Sequence, residues 1–210
     1  MDSKKQYTIA INREAGSGGR SLAERLGEKL GINVYTKAAL EGLIEHFGLT
    51  EGEIEHLRTR KQSWWDEVCQ FNKQFAAAGS EYEVKREVTP KQVYHMEEKL
   101  LKEIAERESC IIVGRAAFHI FKDTPSVKKL FFIADRDYRI AHMKAKLGVD
   151  DREAARIIDE TDKERETYTK NIMGVSRYDC HNYDMVLNIT NKDPEKMADF
   201  LAAIVKAEMQ

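Results

Sequence analysis

The stretch "INREAGSGGRS", residues 11–21, sets Gly16, Gly18 and Gly19 between two arginines, Arg13 and Arg20, with hydroxyls at Ser17 and Ser21. It follows the apolar run "YTIAI" and precedes "LAERLGEKLG", so it joins a strand to a helix. Glycines at such a junction let successive backbone N–H groups and a helix N-terminus converge on one anion, which is the chemistry of a phosphate loop. The full pattern G-x-x-x-x-G-K-[ST] adds a lysine for the β- and γ-phosphates and a hydroxyl for magnesium. Two registers fit it here. Setting Gly19, Arg20 and Ser21 against G-K-[ST] puts Arg20 in the lysine's role, Ser21 on magnesium and Glu14 at the first glycine. Anchoring the loop at its strand puts Arg13 at the first glycine and Gly19 at the lysine, leaving Arg20 one residue beyond. Arginine is always cationic and grips two phosphate oxygens at once, so either register keeps positive charge at the loop. The competing reading is a glycine-rich turn without a ligand.

Phosphoryl transfer depends on positioning and on positive charge around the transferring group more than on covalent chemistry. Arg20, Arg115, Arg139 and Arg165 are the candidates to supply that charge. Arg115 follows "CIIVG" at the carboxyl end of an inferred buried strand, the crevice where open α/β sheets bind ligands. Arg139, Arg152 and Arg156 lie on charged helix faces, where a solvated or paired arginine is the commoner outcome. Arg165 is accompanied by Asp162 and Lys163. Asp184, ahead of the last apolar run, either orients a nucleotide or ends a turn. Trp64 and Trp65 are adjacent on an inferred helix and point different ways, so at least one is packing. The six histidines show no metal-binding spacing, and Cys110 sits in a buried-strand run where cysteine acts as a small hydrophobe.

These residues need elements to hold them. A chain of 210 residues, 42% hydrophobic and 33% charged, suffices for one domain with an inserted subregion. A net charge of −2 gives no general attraction to nucleic acid or membrane, so neither is expected as a partner. Three cysteines, Cys69, Cys110 and Cys180, without C-x-x-C spacing, predict free thiols and a cytoplasmic setting. No segment has the form of a signal peptide or a membrane span. Apolar runs at 7–11, 32–36, 110–114, 127–134 and 184–189 predict strands. Helical periodicity fills 22–30, most of 37–107, the stretch from about 136, and that from Asp193–Pro194. Thr50 with Glu53 and Asp150 with Glu153 have capping-box spacing. Periodicity weakens in "AAAGSEYEVKREVTP", which predicts a mobile segment. Strands alternating with helices predict an α/β domain with a largely parallel sheet covered on both sides.

The segments "INREAGSGGRSLAERLGEKLG", "IIVGRAAFHIF", "VKKLFFIADRDYRIAHM", "DKERETY" and "NYDMVLNI", in this order, resemble the cytidylate kinase-like family of P-loop nucleoside monophosphate kinases. The resemblance implies a three-layer P-loop fold with a mostly parallel sheet, residues 37–107 as a helical acceptor-binding insertion and 150–182 as a helical lid. It implies ATP and Mg2+ as cofactors and nucleotides as substrates, CMP or dCMP first among acceptors. Cytidylate kinases carry a D-G-R segment whose arginine binds the acceptor phosphate; Gly114 and Arg115 match it, with Val113 at the aspartate. Asp162 and Arg165 match the lid's D-x-x-R. Where related sequences read Y-D, this one has Tyr35, taken as substrate-binding together with Arg115, Arg139 and Asp184, and then Thr36. The residues alone leave two alternatives to a nucleoside monophosphate kinase: a P-loop kinase of another small metabolite, or a nucleotide-binding regulator with weak turnover.

Overall fold

The computed structural model describes residues 6–50, 67–68, 70–74 and 90–208. In chain order the elements are β1 (Thr8–Arg13), α1 (Gly19–Leu30), β2 (Asn33–Thr36), α2 (Lys37–His46), α3 (Pro90–Arg107), β3 (Cys110–Val113), α4 (Ala117–Ile120), β4 (Val127–Ile133), α5 (Arg136–Leu147), α6 (Asp151–Met173), β5 (Met185–Asn188) and α7 (Pro194–Glu208). The strands form one sheet in the order β2-β3-β1-β4-β5, with every neighbouring pair parallel. This is the expected α/β fold.

Successive side chains of a strand point to opposite faces, so a strand covered on both sides must be apolar throughout. In β1, Ile9 and Ile11 pack with Leu22 and Leu26 of α1 and with Leu201 and Val205 of α7. Ala10 faces the other way, into a core with Leu40 of α2 and Leu101 and Ile104 of α3. The helix starts follow the sequence signals. The Asp150 carboxylate accepts from Glu153 N–H at 2.8 Å, Asp193 accepts from the Glu195 and Lys196 amides, and Gly31 closes α1 in the left-handed region. Cys110 is fully buried, and burial pushes its thiol pKa up to about 12, as befits a packing residue.

Two expected substrate contacts are structural instead. Tyr35 is fully buried in β2 and donates to a Glu108 carboxylate oxygen at 2.9 Å, because its position in the pleat faces the core. Asp184 stands at the amino end of β5, where its side chain accepts from Lys129 N–H at 2.6 Å; ligands of a parallel sheet gather at the other end. Glu53, Trp64, Trp65, Cys69 and most of the segment expected to be mobile lie outside the described residues. No helix among the described residues is long and apolar enough to cross a membrane.

Candidate active site

Beyond β1 the chain turns through Gly16 and Gly18, both in the left-handed region at φ 77° and 81°, and α1 opens at Gly19. In the phosphate-loop pattern the last glycine closes the loop and the lysine follows at the helix start. Gly18 is the N-cap of the helix, which sets Gly19 where the strand-anchored register would put the lysine. A Cβ on Gly19 would lie 2.9 Å from Arg13 Cβ and 3.1 Å from Phe132 Cδ2, so the space of a lysine stem is already filled. Gly19→Lys is therefore expected to lower stability by about 1–3 kcal/mol, the cost of overpacking, and to bring no gain in activity. A thermal melt beside a rate measurement checks both.

The loop is held from outside by carboxylates. Glu14 accepts from Ala134 N–H at 2.9 Å and pairs with Arg139 at 3.1 Å, so its charge is turned toward the end of β4. Asp162, buried on α6, accepts from the loop amide of Ala15 at 2.9 Å and pairs with Arg139 at 2.7 Å and Arg177 at 3.3 Å. Arg139 is thus a bracket between loop and helix with both carboxylates occupied, and its expected substrate role is withdrawn. Asp162 fastens α6 to the loop. The middle of the segment expected as a lid is tied down in this conformation.

Inside this frame lies a cavity of about 400 Å3 at the carboxyl ends of β1 and β3. Its lining includes Arg13, Lys37, Arg115, Arg165 and Arg177, five cations, against one carboxylate, Glu164. Arg13 is the least compensated of them. Its guanidinium has no hydrogen bond or ion pair among the described residues. Burial lowers its pKa well below the ordinary arginine value, and the charges of Arg165, Arg177 and Arg20 lower it further, with only Asp162 opposing. An arginine stays protonated even so, and an anion placed beside it would relieve the repulsion from its cationic neighbours. Gly114, at φ 83°, lets it in: a Cβ there would sit 2.5 Å from Arg13 Nη1. Arg165 stands 3.6 Å from Asp162, and its pKa is lowered by burial and then by Arg177.

Arg177 gave no signal in the sequence, yet it is 1% exposed and lies between the rings of Phe131 and Tyr178, at 5.7 and 5.1 Å from their centroids. It donates to Asn12 at 3.0 Å and to the Arg13 carbonyl. Arg20 does not line the cavity. It pairs along α1 with Glu24 at 2.9 Å and is one-third exposed. Arg20→Lys is expected to leave the rate within about fivefold of wild type, the worth of an exposed ion pair, and a larger loss would return Arg20 to the centre of the site. Ser21 is exposed on α1, and the buried Ser17 hydroxyl donates to the Glu14 carbonyl at 2.9 Å while accepting from Gly19 N–H at 3.2 Å. The Ser17 hydroxyl is thus engaged within the loop, and Ser21 lies outside the cavity lining.

A glycine loop opening a helix, beside a cation-lined cavity between adjacent parallel strands, is the arrangement of a P-loop kinase. The model of the cytidylate kinase-like family matches residues 8–191. The chain belongs to that family. The match spans the loop, the cavity and all five strands. No curated protein shows significant similarity to the chain. Among solved structures, an uncharacterized protein from Eubacterium ventriosum ATCC 27560 superposes with a TM-score of 0.66 at 24% identity, covering 97% of this chain and 99% of that one. Shikimate kinase from Bacteroides thetaiotaomicron gives 0.50 at 15% identity, with 95% and 98% covered. Shikimate kinase from Acinetobacter baumannii, in complex with shikimate, gives 0.50 at 10% identity, with 98% and 96% covered. These likenesses are of fold.

Proposed function

We propose that the protein transfers the γ-phosphoryl group of ATP to a nucleoside monophosphate, CMP or dCMP first, giving ADP and the nucleoside diphosphate. The observation that carries the reading is the cavity with five cations and one carboxylate beside the glycine loop. The loop residues Gly16, Ser17, Gly18 and Gly19 present backbone to the donor phosphates, with Arg20 at the flank. Arg13, Arg165 and Arg177 face the transferring group, where negative charge is spread over three oxygens in the transition state. Arg115 takes the acceptor's phosphate. That phosphate is already anionic, so its oxygen attacks without a general base, and what the residues supply is alignment and charge. Magnesium supplies charge neutralisation when it arrives on ATP, and no protein ligand is assigned to it. Residues 150–182 act as the lid, with Thr161, Glu164, Arg165, Tyr168, Thr169 and Arg177 on the cavity wall.

A second reading, a kinase of another small metabolite, is favoured by two positions. Thr36 spends its hydroxyl capping α2, accepting from Ala39 N–H at 3.3 Å, and Val113 is fully buried, so neither supplies the carboxylate that cytidylate kinases place there. The test is a coupled assay over CMP, dCMP, UMP, AMP and GMP, with shikimate beside them. Arg115→Ala is expected to raise the acceptor KM by about 10- to 100-fold, the worth of one or two charged hydrogen bonds, while leaving ATP affinity nearly intact. Loss of ATP binding with the acceptor spared would mean that the two ends of the site are reversed. ATP binding without turnover on any acceptor would favour a regulatory protein.

A further inference from the structure

Gly114, Arg115 and Ala116 are three successive residues in the left-handed region, at φ 83°, 51° and 55°. For the two that are not glycine this conformation is strained, and such strain persists only where the surroundings enforce it. What meets Arg115 there is Glu97, from the middle of α3. Glu97 is 0% exposed, and its Oε2 accepts from Arg115 Nη2. The Arg115 guanidinium also lies 5.8 Å from the ring centroid of Tyr168 on α6. Three buried polar atoms gather at this point without hydrogen-bond partners: Glu97 Oε1, Arg115 Nε and the Tyr168 hydroxyl. A buried carboxylate with one oxygen unmet is costly, and hydrophobic packing at the same place would cost less.

Such a cost is retained where the group does something that packing cannot. Glu97 does not line the cavity, whereas Arg115 and Tyr168 do. We propose that Glu97 is the positioning residue of the acceptor site: its carboxylate fixes the Arg115 fork at the mouth of β3, aimed at the anionic group of the acceptor. This rests on the reading that Arg115 takes the acceptor's phosphate. It also explains Val113. The carboxylate absent from the strand position beside Arg115 is supplied from α3. Burial raises the Glu97 pKa and Arg115 opposes that rise, while Glu41 and Lys37, both from α2, also bear on its charge.

The test uses the full chain with Arg side chains labelled with nitrogen-15, the Arg115 signal being assigned by its absence from Arg115→Ala. In the wild type the guanidinium nitrogens of Arg115 should give separate signals, because the ion pair blocks rotation, and Glu97→Gln should average them. Inorganic phosphate, titrated against that signal and by calorimetry, should bind about tenfold more weakly to Glu97→Gln. ATP affinity should hold, and a melting curve checks that the variant is folded. Adding Glu97→Gln to Arg115→Ala should cost phosphate nothing more, because the carboxylate acts only through the arginine. Glu97→Asp, which keeps the charge but falls short, should behave as Glu97→Gln does. Equal phosphate affinity in wild type and Glu97→Gln, no phosphate binding to the wild type, a double variant weaker than Arg115→Ala, or ATP affinity falling in step would each overturn the proposal. CMP is titrated in parallel. If phosphate behaves as described and CMP does not bind, the positioning role stands and the nucleotide reading falls.

Discussion

Arg13→Ala is expected to lower kcat/KM by on the order of 10³, the effect of removing a cation that stabilises a transferring phosphoryl group. Arg13 occupies the end of β1, fills the space that a loop lysine would take above Gly19, and reaches past Gly114 into the cavity. Every other cation on the cavity wall has a partial counter-charge or a fixed bond: Arg115 has Glu97, Arg177 has Asp162, Arg165 stands within 3.6 Å of Asp162, and Lys37 within 3.7 Å of Glu41. Arg13 has no ion pair or side-chain hydrogen bond among the described residues, and only the more distant charge of Asp162 opposes its neighbours, so an incoming phosphate gains most from it. The fold should survive the change, since removing a buried cation that repels three neighbours relieves the apo protein. Steady-state kinetics with a melting curve separate the outcomes. A rate loss under tenfold would move the principal cation elsewhere, and a collapse of stability would make Arg13 a structural residue.

Asp162→Ala is the second large effect, and it falls on stability. The carboxylate neutralises Arg139, which is 8% exposed, and Arg177, which is 1% exposed, and it caps the Ala15 amide. Removing it takes one carboxylate from each of two buried guanidinium groups, leaving Arg139 with Glu14 and Arg177 with Asn12 and the Arg13 carbonyl, and leaves a loop N–H without its acceptor, for which about 3–5 kcal/mol is expected. Asp162→Asn keeps the shape and one acceptor oxygen and should recover part of that loss. Urea denaturation gives both numbers. A variant as stable as wild type would mean that α6 is not fastened to the loop through this residue, and activity should fall with stability because the loop loses its outer support.

The parallel sheet and its two cores were legible because the strands are short apolar runs and the helices carry their caps in sequence, Asp150 and Asp193 among them. The site was legible only in part. Pattern matching drew attention to the lysine position and so to Arg20, but the side chain packed against Gly19 is that of Arg13, six residues earlier on the strand, and only the packing shows that closeness. Arg139 and Asp162 both have the spacing of solvated helix residues, and their burial comes from α5 and α6 closing on the loop. Arg177 follows the end of α6 in a stretch without periodicity, so nothing local marks it as buried. Glu97 belongs to "HMEEKLLKEIAER", where the neighbouring Glu98 does pair with exposed Lys102 in the ordinary i,i+4 manner. One residue of helical rotation separates a surface pair from a buried one.

The central claim, that this cavity moves a phosphoryl group from ATP to a nucleoside monophosphate, is tested most directly by following label. Wild type is mixed with γ-phosphate-labelled ATP, magnesium and CMP or dCMP in a single turnover, and the products are separated. The predicted result is label in the nucleoside diphosphate, with transfer slowed on the order of 10³-fold in Arg13→Ala. Label that stays on ATP with CMP, dCMP, UMP, AMP and GMP alike, or transfer that Arg13→Ala leaves unchanged, would contradict it.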